Sequence, residues 1–304
     1  VGWPYVKSFP LAQLAILRET QPAAFRSATA VAMNVTYLYR RLCGRQVMDP
    51  STATTFYLRD QRTRAWHLPF LQWLNVRESQ LPALVESGAA VGELSGRAAA
   101  ETGFPQGAKV VAGAFDHPSA ARGCGILRPG DLLLSCGTSW VGFYPVEDRD
   151  RAVSLGLLVD PFLSPDGPWG AMFSLPRVGV EVQEFVESTF AHEPDLVARY
   201  AAFNRRAAAA GPGSSDPART LMERIARDTA KRIESLRAAG MEANRIVLVG
   251  GPSRSDAWMR ILAESTGRAI MLPETGPYAG ALGAAVLAGI GAGEFRDELD
   301  AFGR

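Results

Sequence analysis

Four short segments of this chain carry residues whose type and spacing could do chemistry. The first is Gly113-Ala114-Phe115-Asp116-His117. A carboxylate just after a short β-branched run, beside glycine, sits where open α/β sheets meet their ligands, and it can take a proton from a substrate hydroxyl. The same Asp116 can instead cap the helix that Pro118 to Arg122 predicts, since aspartate is a favoured N-cap. The second is Cys136-Gly137-Thr138-Ser139. Glycine and two hydroxyl residues in a tight turn present N–H and O–H groups together, which suits phosphate oxygens. An ordinary hairpin turn uses the same residues. The third is Val249-Gly250-Gly251-Pro252-Ser253, where two glycines after a strand let a flat ligand or a phosphate approach the main chain. The helix predicted from Ser255 turns its positive end toward the same space. A close strand–helix crossing accounts for the glycines equally well. The fourth is Ala279-Gly280-Ala281-Leu282-Gly283-Ala284-Ala285, whose small residues suit a helix lying very near its neighbour.

Other candidates are weaker. Cys136, or Cys124 near His117, could supply a thiol nucleophile, but a free cysteine is more often a buried small hydrophobe. His67, His117 and His192 lack metal-ligand spacing. Arg59, Arg62 and Arg64 read as a solvated face. No GxxxxGK[ST] loop occurs in the chain.

The elements that must position these residues alternate in type. Leu11 to Arg18 and Val31 to Leu42 predict helices, the second ended by Gly44. Thr54 to Leu58 predicts a short β-rich run, Asp60 to Arg64 a solvated turn and Leu68 to Leu74 a helix. Gly92 to Gly103 predicts a strand leading into a glycine-ended helix. Lys109 to Ala112 predicts a buried strand. Leu132 to Ser135 and Val141 to Tyr144 predict a hairpin whose turn is Gly137-Thr138-Ser139. Residues 146–178 are rich in Pro and Gly and poorly periodic. Val180 to Phe190 predicts a helix, and Ala207 to Arg219 a mobile loop. Then come a helix over Leu221 to Ala239, a strand over Arg245 to Val249, a helix over Ser255 to Thr266, a strand over Ala269 to Leu272 and a helix over Tyr278 to Ile290. That alternation predicts an α/β fold.

Composition bounds the function classes. A length of 304 residues suits about two domains. Hydrophobic residues make up 47 % and charged residues 21 %, which excludes a disordered tail or a small disulfide scaffold. The formal net charge is +1, so no global field points to nucleic acid or an anionic membrane surface. Of 32 basic residues only Lys7, Lys109 and Lys231 are lysines, which reads as compositional bias. Cys43, Cys124 and Cys136 are sparse and form no CxxC, as reduced thiols of a cytoplasmic protein would be. No apolar run is long enough for a membrane span.

Taken in order, these segments resemble the FGGY family of carbohydrate kinases. The resemblance rests on Gly113 to Asp116 with Ala120, Ala121, Gly123 and Gly125; on Gly130 followed by Gly137-Thr138-Ser139; on Val249 to Trp258; and on Ile261, Ala263, Gly267 and Ala281 to Ala285. Earlier in the chain it includes Asp49-Pro50-Ser51-Thr52-Ala53, Trp66, Leu81-Pro82 and Gly92-Glu93-Leu94. It implies actin-like ATPase (ribonuclease H-like) α/β domains with a cleft between them, and transfer of a phosphoryl group from ATP, with Mg²⁺, to a sugar or polyol hydroxyl. In that reading Asp116 contacts the acceptor and is the catalytic base. Gly137, Thr138 and Ser139 contact phosphate, Gly250 and Gly251 lie against adenosine, and Ser255 falls at a polar nucleotide contact. No residue here is assigned to a metal.

The family pattern also includes an opening strand with an Asp-x-Gly-Thr phosphate loop, which this sequence lacks. Lys7 matches the family's first signature only in part. The expectation is therefore a piece of a longer kinase, inactive by itself: residues 1–125 the C-terminal part of the first, sugar-side domain, and residues 126–304 a complete second, nucleotide-side domain. The expected partner is a small sugar or polyol in the cytoplasm, without nucleic acid or membrane, and a homo-oligomer is admitted. The alternative is a non-catalytic actin-like module that binds nucleotide or a partner.

Overall fold

The computed structural model of the chain describes residues 1–4 and 9–303. Lys7, the partial signature match, lies outside the described residues. The chain opens with helices α1 (Pro10–Thr20), α2 (Pro22–Ser27) and α3 (Asn34–Cys43), then β1 (Val47–Met48) and α4 (Pro50–Phe56). The expectation of a β-rich run at Thr54 to Leu58 fails at α4. Asp49 caps that helix by accepting from the Thr52 N–H at 2.8 Å, and Pro50 fills its first turn. Capping and a preset proline outweigh the β preference of two threonines.

Helix α5 (Leu68–Leu74), strands β2 (Ala83–Leu84) and β3 (Ala90–Glu93), helix α6 (Gly96–Thr102), strand β4 (Lys109–Val111) and helix α7 (Asp116–Gly123) follow. Strand β1 runs parallel to β2, and β3 antiparallel to β4. Strand β4 is thus half of a two-stranded piece, where its sequence suggested a buried strand of an open sheet. Next are β5 (Asp131–Cys136), β6 (Trp140–Val146), α8 (Arg149–Ser154), β7 (Leu158–Asp160), β8 (Trp169–Leu175), α9 (Val178–Thr189) and α10 (Leu196–Ala209). The Pro- and Gly-rich stretch 146–178 therefore holds regular structure, and α10 occupies the start of the expected loop. The chain ends with α11 (Pro217–Ala238), β9 (Arg245–Gly250), α12 (Asp256–Thr266), β10 (Ala269–Met271), α13 (Ala279–Ala292) and α14 (Glu298–Ala301).

These elements form two compact units. The first comprises Val1–Leu127, Glu147–Gly170 and Gly280–Arg304; the second comprises Arg128–Val146 and Ala171–Ala279. Both are discontinuous in sequence. Side chains distant in sequence supply the reason. Asp160 bonds to Ser51, and Arg122 bonds to Phe162 and Glu298, so segments 147–170 and 280–304 complete the first unit.

In the first unit, Met48, Phe56, Leu58, Trp66, Leu71 and Leu74 build one apolar core, and Tyr39, Val47, Val91, Leu94, Val110 and Ala112 a second. Arg59, expected on a solvated face, is only 2 % exposed, and its neighbour Gln61 is also buried, donating to the Val159 carbonyl at 2.7 Å. Arg62 and Arg64 do reach solvent and pair with Asp150 and Asp166.

In the second unit the strand order is β10-β9-β5-β6-β8. Strand β5 is parallel to β9, and β9 to β10; β5 and β6 are the expected antiparallel hairpin. Leu132, Leu133 and Leu134 of β5 and Ile246 and Leu248 of β9 are fully buried, as consecutive residues of a sheet covered on both faces should be.

Candidate functional site

In the first unit the site residue is Asp116. Phe115, with φ −61° and an extended ψ of 159°, turns the chain from β4 into α7 and holds the N-cap position. Asp116 is therefore the first helical residue and does not cap. Its Oδ1 accepts from the His117 N–H at 2.7 Å, and its side chain is 72 % exposed. The positive end of α7 favours a carboxylate there. The His117 imidazole lies 4.0 Å from Asp116 Oδ1; burial lowers its pKa, against the opposing pull of Asp116.

The backbone leading to Asp116 is held from two sides. The Gly113 N–H donates to Tyr39 Oη at 2.8 Å, and the Phe115 N–H donates to Ser51 Oγ at 3.1 Å. Ser51 in turn donates its hydroxyl proton to Asp160 Oδ2 at 2.7 Å. Ser51 and Asp160 are both buried. The far end of α7 is fixed by Arg122, whose Nε donates to Glu298 Oε1 at 2.8 Å and whose guanidinium lies 4.7 Å from the Phe162 ring centre. Beside α7, a Cβ at Gly283 of α13 would come within 1.8 Å of the Ser119 carbonyl oxygen, so that glycine serves packing, as its small-residue context suggested.

Ser51 and Asp160 belong to a wider buried polar cluster. Asp49 Oδ2, Asp160 Oδ1 and Arg59 Nε and Nη1 are buried without hydrogen-bond partners. Burial pushes the Asp160 carboxyl up to about 7, against the Ser51 hydrogen bond and the Arg122 charge. Burial likewise raises Asp49 and lowers the Arg59 guanidinium.

The remaining predicted site residues lie in the second unit. The parallel register sets Cys136 beside Gly250, and the hairpin register sets Cys136 opposite Trp140. The Gly137-Thr138-Ser139 turn and the Gly250-Gly251 pair thus emerge side by side from the carboxyl ends of adjacent parallel strands. Gly137, Thr138, Gly250 and Gly251 are exposed, and Ser139 is half-buried. Gly250 has φ +95°, and a Cβ there would stand 2.3 Å from the Cys136 carbonyl oxygen. Only glycine fits that crossing.

Helix α9 adds a component that its sequence did not announce. The Gly179 N–H donates to the Thr138 carbonyl at 3.0 Å, and a Cβ at Gly179 would lie 2.2 Å from the Gly137 carbonyl oxygen. The start of α9 is therefore pressed against the Gly-Thr-Ser turn. The signal available was a glycine one residue ahead of the helical run at Val180.

Ser255 caps α12: its Oγ accepts from the Trp258 N–H at 3.4 Å, and it is buried. Trp258 meets Trp140 edge-on, with ring centres 5.1 Å apart, which ties α12 to the end of the hairpin turn. Burial raises the Cys136 thiol well above its usual range and Cys124 to about 11, so neither is a thiolate nucleophile near neutrality. Among the described residues no three His, Cys, Asp or Glu side chains gather to hold a metal ion, and no helix is long and apolar enough to cross a membrane.

Residues 1–123 match the model of the N-terminal domain of the FGGY family of carbohydrate kinases, and residues 190–292 that of its C-terminal domain. The chain is 26 % identical over 318 residues to the autoinducer-2 kinase of Salmonella typhimurium, covering 91 % of this chain and 60 % of that protein. It is 27 % identical over 321 residues to the xylulose kinase of Bacillus subtilis, covering 95 % and 64 % respectively. The chain thus spans about three fifths of the length of these curated relatives. Among solved structures, xylulose kinase from Rhodospirillum rubrum superposes with a TM-score of 0.80 at 23 % identity, covering 95 % of this chain and 64 % of that one. Ligand-bound xylulose kinase from Lactobacillus acidophilus superposes with a TM-score of 0.85 at 18 % identity, covering 98 % and 66 %. At such identities these structures establish the fold, the actin-like ATPase α/β fold of the sugar kinases.

Proposed function

We propose that this chain, which belongs to the FGGY family of carbohydrate kinases, serves the ATP-dependent phosphorylation of a sugar or polyol hydroxyl, with Asp116 as general base. In this reading the Asp116 carboxylate accepts the proton of the acceptor hydroxyl as its oxygen attacks the terminal phosphorus of ATP, and ADP leaves. Exposure of Asp116 at the start of α7 supports the role, because the carboxylate is open to a small molecule. Gly137, Thr138 and Ser139 offer N–H and O–H donors to phosphate oxygens, and Gly250 and Gly251 admit the nucleotide close to the main chain. Ser255 already accepts from Trp258, which leaves its own hydroxyl proton as the group offered to the nucleotide. The observation that carries the nucleotide half is the pairing of Cys136 with Gly250, which sets the phosphate turn and the glycine pair side by side. Positioning and charge neutralisation supply most of the catalysis in such transfers.

The division into a sugar-side domain ending near residue 125 and a nucleotide-side domain after it belongs to the same proposal. Mg²⁺ is the expected companion of ATP. The described residues do not assemble a site for it, and no step here is assigned to it.

A panel of ketoses, aldoses and polyols, read by sugar-dependent ADP release on the full-length protein, tests the proposal. Asp116→Asn is expected to lower kcat by about 10²–10⁴-fold with an unchanged melting temperature. A variant turning over near the wild-type rate removes Asp116 as the base. Nucleotide binding by the full-length protein without turnover on any acceptor favours the non-catalytic module.

A further inference from the structure

We infer that Ser51, backed by Asp160, is a positioning residue that fixes the amide of Phe115 and so sets the direction of the Asp116 carboxylate. The inference rests on the reading of Asp116 as the base. Its geometry is a relay of three groups from separate parts of the first unit. The Phe115 N–H donates to Ser51 Oγ at 3.1 Å, and the Ser51 O–H donates to Asp160 Oδ2 at 2.7 Å. A serine hydroxyl has one proton and two lone pairs. With the proton committed to a carboxyl oxygen, a lone pair must face the amide, so Asp160 determines which way Ser51 acts. Ser51 is 1 % exposed and Asp160 fully buried, so water does not readily substitute for either.

The position of this relay is what gives it consequence. Phe115 is the last residue before α7, and Asp116 is the first within it. A change in the Phe115 torsions swings the Asp116 side chain, whose only described bond is to the neighbouring His117 N–H, through solvent. Tyr39 Oη holds Gly113 in the same way, at the other end of the tetrapeptide. The strong polarity of the surroundings serves this arrangement: Arg59 and Arg122 favour a charged Asp160, and Asp49 opposes it. A misplacement of about 1 Å at a reacting group can cost about 10²-fold in rate.

Two readouts test the inference. In hydrogen–deuterium exchange of peptides spanning residues 112–118, Ser51→Ala should speed exchange at Phe115 by about five- to tenfold, the loss of one hydrogen bond, with β9 unchanged. Asp160→Asn keeps a carbonyl oxygen for the serine proton and should preserve most of the protection. Asp160→Ala should behave like Ser51→Ala, and the double variant no worse than either. Tyr39→Phe, which keeps its ring in the core, should loosen Gly113 and leave Phe115 protected; if Ser51→Ala fails to fold, Asp160→Ala carries the same test. In the ADP-release assay, Ser51→Ala should lower kcat by about 10–10²-fold with the KM for ATP unchanged.

Unchanged Phe115 exchange in Ser51→Ala overturns the relay, as does a rise in the KM for ATP with kcat unaffected. Asp116→Asn separates the two readings. If it leaves turnover intact while Ser51→Ala still frees the Phe115 amide, the base assignment fails and the clamp stands. If it abolishes turnover while Ser51→Ala neither frees the amide nor slows the reaction, the clamp fails and the base stands.

Discussion

Replacing Asp160 with asparagine should make the protein's stability less dependent on pH, and the sign follows from burial. The carboxyl is fully buried, and burial raises it from 3.8 to about 7. Between those values the folded protein keeps a proton that the unfolded chain has released, so stability falls as pH rises. Each tenfold difference is worth about 1.36 kcal/mol, so the whole shift corresponds to roughly 4 kcal/mol, reached once the pH exceeds about 7. Asparagine carries no proton to lose, keeps an acceptor for Ser51, and removes that term. Urea unfolding of both proteins from about pH 4.5 to about pH 8 measures the effect; taking the difference at each pH sets aside slopes from groups that do not interact with Asp160. The variant should gain on the wild type by roughly 3 kcal/mol across that range, since the scan starts above the unfolded value. A difference that stays constant with pH refutes the reasoning, because it means Asp160 titrates alike in the folded and unfolded chains.

Three further outcomes follow from close contacts and burial. Gly250→Ala forces a Cβ at positive φ toward the Cys136 carbonyl, 2.3 Å away, and should cost about 1–3 kcal/mol in thermal unfolding while weakening ATP binding in calorimetry. Gly283→Val drives a larger side chain into the Ser119 backbone, and the expected loss of about 1–3 kcal/mol should appear in the melting temperature of the first unit. Iodoacetamide at neutral pH should leave Cys136 unlabelled in the folded protein while the half-buried Cys43 reacts faster, as peptide mass mapping would show.

Much of the second unit was legible in the sequence because its signals are local. The β-branched run Arg245 to Val249, the glycine pair after it, and the helix bounded by Ser255 and Gly267 each carry their own punctuation, and the structure follows them closely. The hairpin around Gly137-Thr138-Ser139 was legible for the same reason. Helix α4 was not, because its threonines outvoted the cap at Asp49 and the proline at its first turn. Strands β7 and β8 were hidden among prolines and glycines that punctuate their ends and bridge the stretch between them.

For the candidate site the sequence named the side chains and missed what holds them. Asp116 stood out beside Gly113, yet its support comes from Ser51, 64 residues before Phe115, and from Asp160, 109 residues after Ser51. Pairings at such separations leave no periodicity to read. Arg59 failed differently: it sits in a run of arginines that looks solvated, and only the tertiary fold buries it while leaving Arg62 and Arg64 at the surface.

The discontinuity of the first unit bears on how the molecule is made. Domains usually condense in the order in which the ribosome releases them. Here α13 presses Gly283 against Ser119, and Glu298 of α14 receives Arg122, so the opening segment waits for residues 280–304 before its own packing is complete. The second unit, encoded in between, has all its strands and helices in hand sooner. Within residues 1–304, synthesis thus reverses the written order: the first unit, begun before the second, is the last to close, and until then α7 lacks the walls that steady it.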